Sequence, residues 1–119
     1  VFAVYACKLS MEWLKSIGGI KEIEKINRLK AKKLYDEIDN NELFKGFAAV
    51  EDRSIMNVTF NLTDESNKSI FDEIALKKNI SGINGHRSVG GYRASIYNAL
   101  SLESVDTLVD AMKQFEKNI

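Results

Sequence analysis

Ser81 to Ala99 gathers the side chains best able to hold charge: four of the seven glycines, two of the four arginines and the only histidine. Gly82, Gly85, Gly90 and Gly91 let the backbone take positive φ or come close to a ligand. His86, Arg87 and Arg93 stand on or beside that loop, and no acid within the stretch neutralises them. Arginine offers a flat fork of five donors that matches carboxylate and phosphate. Two of them flanking a glycine loop therefore predict a site for a small anion with two acidic groups. The alternative is a glycine-rich hairpin whose arginines are only solvated. His86 is expected to act as a neutral hydrogen-bonding group, because the charge of Arg87 beside it disfavours the imidazolium form.

The periodicity of apolar residues outlines the scaffold for these side chains. Over 92–97, Tyr92, Ala94 and Ile96 fall on one side of a strand, with Asn98 beyond, and Arg93, Ser95 and Tyr97 fall on the other. Arg93 is thus expected to face away from the core on a rigid perch, as a ligand-orienting residue requires. A partner strand is expected near 80–84. Between Ile55 and Leu62, Met56, Val58, Phe60 and Leu62 alternate with Asn57, Thr59 and Asn61, the pattern of a half-buried strand. Leu43 to Val50, broken by Gly46, reads as a loop or a weak strand.

Four helices complete the scaffold. Residues 1–17 are apolar almost all round as far as Lys8, then at Leu9, Met11, Trp13, Leu14 and Ile17, which predicts a helix enclosed by protein on several sides, with more apolar surface than this chain alone covers and a neighbouring domain expected to cover the rest. Cys7 lies in this run and is expected to be a buried small hydrophobe; Gly18 and Gly19 end the helix. A second helix over 20–39 carries the stripe Ile20, Ile23, Ile26, Leu34 and Ile38. Its solvated face includes Lys21, Glu22, Lys25, Lys32, Lys33 and an i,i+4 pair, Glu24 and Arg28. A third helix over 66–79 turns Ile70, Phe71, Ile74 and Ala75 inward. The last is capped by Ser101 and buries Leu102, Val105, Leu108, Val109, Met112 and Phe115. This order predicts one α+β domain over 1–119, a small, mostly antiparallel sheet with helices packed on one face.

Composition narrows the function classes. With 17 basic and 17 acidic side chains the net charge is zero, which gives no support for a nucleic-acid partner. No apolar run approaches the ~20 residues of a membrane span, and the chain opens with no basic segment leading into an apolar one. One histidine and one cysteine far apart give no metal-ligand cluster, and there is neither a P-loop nor a G-x-G-x-x-G run. The lone cysteine fits a reducing compartment.

The run Gly85-His86-Arg87-Ser88-Val89-Gly90-Gly91-Tyr92-Arg93-Ala94-Ser95-Ile96-Tyr97-Asn98-Ala99 closely resembles the C-terminal signature of phosphoserine aminotransferases. Val1-Phe2-Ala3-Val4-Tyr5 resembles the start of that family's long interdomain helix, and Arg53-Ser54-Ile55-Met56-Asn57-Val58 the strand after its second helix. The resemblance implies the C-terminal small domain of a fold-type I pyridoxal-phosphate aminotransferase, with 1–17 as interdomain helix and 81–99 as substrate-anion-binding segment. It further implies a cytoplasmic homodimer that moves an amino group between glutamate and 3-phosphohydroxypyruvate, giving 2-oxoglutarate and phosphoserine. At the positions of His86 and Arg87 the family holds the substrate phosphate, and at that of Arg93 the α-carboxylate. The lysine that binds pyridoxal 5'-phosphate, and further phosphate-binding arginines, lie upstream in the family. None of the 13 lysines here is assignable to the cofactor, and the chain is expected to be the last third of the enzyme.

Two other readings use the same residues. Gly82-Ile83-Asn84-Gly85 matches the GXXG loop of KH-type RNA-binding modules, though such a loop leads directly into a helix and a strand is expected here. A free-standing small-anion sensor or regulatory domain would use the same donors without chemistry of its own.

Overall fold

The computed structural model describes residues 1–85 and 88–119. In chain order these form α1 (Phe2–Ser16), α2 (Gly19–Asn40), β1 (Phe44–Gly46), β2 (Asn57–Leu62), α3 (Lys68–Lys77), β3 (Tyr92–Ser95) and α4 (Leu102–Asn118). The strands make one antiparallel sheet in the order β1-β2-β3, with Phe44 opposite Leu62, Val58 opposite Ala94 and Thr59 opposite Arg93. Alternation then sorts the side chains: Val58, Phe60 and Leu62 of β2 are buried, while Asn57, Thr59 and Asn61 are only half-covered.

The buried side of the sheet packs against α2, α3 and α4, and their inward residues join it in a single core. An aromatic cluster sits at the centre. Phe44 meets Phe71 edge-on at 5.1 Å and Phe115 at 5.6 Å, while Tyr92 stacks on Phe60 at 5.3 Å. Such geometries add about 0.5–1.5 kcal/mol per pair beyond the burial of area. This is the expected α+β arrangement, and it leaves the opposite side of the sheet, with Arg93, facing outward.

Capping follows the sequence closely. Ser101 Oγ accepts the Ser104 N–H at 3.2 Å at the start of α4. Gly18, at φ 115°, joins α1 to α2 in a conformation that side chains rarely adopt. The Glu24–Arg28 pair forms at 2.9 Å.

Several expectations are corrected. The segment near 80–84 is not a strand; it contributes one bridge, Asn84 to Tyr92, because the chain has just left α3 through the left-handed Asn79 and pairs only at the foot of the loop. Of the two readings of Leu43 to Val50, the weak strand is the one found, at β1, where Phe44 supplies the buried ring. Ile20 and Ile70 are exposed. Ile20 lies in the first turn of α2, before its buried stripe begins at Ile23, and Ile70 lies on the side of α3 away from Phe71 and Ile74. On α1 the correction is Cys7, which is exposed. The helix packs alongside α2 and buries no residue, with Phe2 82% exposed, so its surplus apolar surface lies uncovered in this chain as expected.

Candidate functional site

The loop singled out by its glycines stands on a short two-stranded stem. Asn84 bridges to Tyr92, the Gly85 N–H donates to the Gly91 carbonyl at 2.9 Å, and the Arg93 N–H donates to the Ile83 carbonyl at 2.7 Å. Two of the glycines are required by space. A Cβ on Gly85 would strike the Gly90 carbonyl, and one on Gly91, whose φ is 69°, would strike the Asn61 side-chain oxygen. Gly90, at φ 74°, has open space around it. Gly91→Ala is therefore expected to destabilise the protein by about 1–3 kcal/mol, and Gly90→Ala by about 1 kcal/mol. Denaturant midpoints measured side by side check this, and equal costs would mean that the Asn61 contact relaxes freely.

Arg93 occupies the place the sequence predicts. It projects from β3 on the outward side of the sheet, while its neighbours Tyr92 and Ala94 are buried. It borders a recess of about 160 Å³ shared with Phe47, Thr59, Asn61, Gly85 and Gly90. Among the described arginines, Arg28 pairs with Glu24, and Arg53 grips Asp39 through two hydrogen bonds of 2.9 and 2.7 Å. That grip holds the Asp39 carboxyl below its usual range and the Arg53 guanidinium above its own. Arg93 has no carboxylate partner among the described residues, so its donors are uncommitted there. His86 and Arg87, the other predicted anion-binding residues, lie outside the described residues.

Two features of the site were not anticipated in the sequence. On α3, Asp72 accepts the Tyr92 hydroxyl at 2.5 Å and the Lys68 ammonium at 2.7 Å, and Lys68 also reaches Asn84 at 3.3 Å. Burial, and then the bond to Asp72, push the Tyr92 phenol well above its usual pKa, so it remains a donor. The second feature is Lys30 on α2. It is fully buried and donates to the carbonyls of Ile96, Tyr97 and Leu100 at 3.4, 2.9 and 2.9 Å, fixing the chain as it leaves β3. Beside it, Asn27 donates to Asn98 at 2.8 Å.

Lysine chemistry also bears on pyridoxal phosphate. A covalent anchor for an aldehyde must be an accessible amine that can lose its proton. Burial lowers the pKa of Lys30, but three carbonyls occupy its ammonium and nothing reaches it. The other lysines are exposed or half-exposed on the surface. Among the described residues no enclosed lysine is free to take the aldehyde, and this chain alone is expected not to form an aldimine. Absorbance near 400 nm, on the order expected for such an adduct, retained through gel filtration would contradict this.

The GXXG reading finds no support in the described residues: 88–89 form a turn and the chain then enters β3. No helix among the described residues is long and apolar enough to cross a membrane.

Sequence and structure comparisons converge on one family. The class-V aminotransferase family model matches residues 1–108. A phosphoserine aminotransferase from Flavobacterium psychrophilum is 57% identical over 119 residues, covering 100% of this chain and 33% of that protein. The solved phosphoserine aminotransferase from Bacillus circulans subsp. alkalophilus superposes with a TM-score of 0.85 at 40% identity, over 90% of this chain and 30% of the other. A pyridoxal-phosphate-bound phosphoserine aminotransferase from Trichomonas vaginalis gives 0.84 at 37% identity, over 94% and 32%. The chain thus spans about a third of the length of the curated relatives it matches. Pyridoxal phosphate is expected for the family, in keeping with that bound structure. With nine-tenths of its residues matched and its fold shared with solved members, this chain belongs to the class-V aminotransferase family.

Proposed function

We propose that this chain is the C-terminal, substrate-binding domain of a phosphoserine aminotransferase, which transfers an amino group between glutamate and 3-phosphohydroxypyruvate. Arg93 holds the α-carboxylate common to every amino-acid and keto-acid partner, and His86 with Arg87 holds the distal phosphate. The observation that carries the reading is Arg93 itself, an arginine on a rigid strand beside a recess, with no carboxylate partner among the described residues. A planar guanidinium held in this way can take both oxygens of a carboxylate at once, which fixes the orientation of the substrate as well as its affinity. In this reading the cofactor lysine is contributed by the remainder of a cytoplasmic homodimer.

The test is transamination by the whole protein. Phosphoserine and 2-oxoglutarate are expected to give 3-phosphohydroxypyruvate and glutamate. Serine in place of phosphoserine is expected to lower kcat/KM by at least about 10-fold, since each charge-assisted hydrogen bond to the phosphate is worth about 1.5–3 kcal/mol. Equal turnover of serine and phosphoserine would remove the case for a phosphate site.

A further inference from the structure

We infer that Asp72 and Lys68 on α3 are positioning residues for Arg93, acting through the stem on which it stands. The inference rests on the reading of Arg93 as the α-carboxylate anchor. Asp72 has two carboxylate oxygens and uses them on two different elements: one accepts the Tyr92 hydroxyl at 2.5 Å, the other the Lys68 ammonium at 2.7 Å. Lys68 continues the chain of bonds to Asn84 at 3.3 Å and lies 4.9 Å from the centre of the Tyr92 ring. Asn84 and Tyr92 face each other across the bridge at the foot of the glycine loop. The two α3 side chains, one turn apart, therefore hold both legs of the stem.

The consequence falls on Arg93 because it is the next residue after Tyr92, and its own N–H is bonded to Ile83, next to Asn84. Tyr92 is clamped on three sides: stacked on Phe60, edge-on to Phe71 at 5.2 Å, and tied by its hydroxyl to Asp72. The rings fix the plane of Tyr92, but its hydroxyl bond fixes the rotation of β3 about its axis. That rotation sets the direction in which Arg93 projects beside the recess. A displacement of about 1 Å in a group that orients substrate is enough to cost a large factor in rate.

The experiment uses the whole protein with Asp72→Asn, Lys68→Met and Tyr92→Phe, each alone and combined with Arg93→Ala. Lys33→Met, which breaks an exposed ion pair to Asp106, is the control. With Arg93 present, each α3 or Tyr92 variant is expected to lower kcat/KM for both glutamate and phosphoserine by about 3- to 10-fold, and Lys68→Arg to restore most of it. With Arg93→Ala the same changes are expected to cost less than about 1.5-fold, because there is no longer a guanidinium to aim. Amide exchange of Gly85 and Arg93 is expected to quicken in Asp72→Asn and stay unchanged in Lys33→Met. Equal losses with and without Arg93 would reveal a merely structural role and overturn the inference. So would parental kcat/KM and parental exchange in Asp72→Asn, with the Arg93 reading intact. A fully active Arg93→Ala protein would refute that reading and this inference with it.

Discussion

Arg93→Ala in the whole protein is expected to lower kcat/KM by roughly 10- to 150-fold with glutamate and with phosphoserine alike, the net worth of one charge-assisted hydrogen bond, about 1.5–3 kcal/mol. The α-carboxylate is common to both substrates, so neither half-reaction escapes. Arg87→Ala, by contrast, is expected to hurt most where the distal charge is largest, so phosphoserine should suffer more than glutamate. Lysine separates the two positions further. A phosphate accepts a point charge, so Arg87→Lys should recover much of the activity, while Arg93→Lys should recover little because a carboxylate held by both oxygens needs the planar fork. A two-by-two comparison of the variants against the two substrates reads this out. Equal losses for both arginines with both substrates would sink the division of roles.

Lys30→Met is expected to destabilise the domain by about 3 kcal/mol, two well-made bonds to carbonyls being lost and those carbonyls left short of a donor. For a chain of this size that is a fall of about 10 °C in melting temperature. Methionine matches the length of the lysine stem closely enough to fill the space, so the loss reports the ammonium rather than a cavity. The comparison is Lys33→Met, three residues on, whose ion pair with Asp106 is exposed and is expected to be worth no more than about 1 kcal/mol. A Lys30→Met protein melting within a degree or two of the parent would show that the three carbonyls find other donors without strain.

The stripe on α2 explains how Lys30 went unrecognised. Its buried positions run Ile23, Asn27, Lys30, Ala31, Leu34 and Ile38, a regular helical spacing, but the isoleucine and leucine stripe named from the sequence leaves a gap between Ile26 and Leu34. Asn27 and Lys30 fill that gap in register; periodicity marked the positions, and residue type pointed to solvent. The β2 and β3 patterns were legible because alternation in a sheet with one covered side reports directly on burial. The placement of Arg93 followed from the same alternation. By contrast, the Asp72–Tyr92 and Lys68–Asn84 contacts join residues 20 and 16 positions apart, across two elements, and no local spacing encodes them. The 80–84 strand was overread for a related reason: its residues are apolar enough, but the bonds it could make are used at a single bridge.

The exposure of α1 has a consequence for how this chain comes apart. A helix held by buried side chains opens only when the whole domain does, whereas one with none buried opens by itself. An unsupported helix of 15 residues is marginal in water, so α1 has little protection of its own. Taken alone, the chain should therefore show two levels of amide protection. The amides of α2 and β2 would exchange at the rate of global unfolding, those of α1 by local fraying several orders of magnitude faster, and heating would erase part of the helical signal before the core melts.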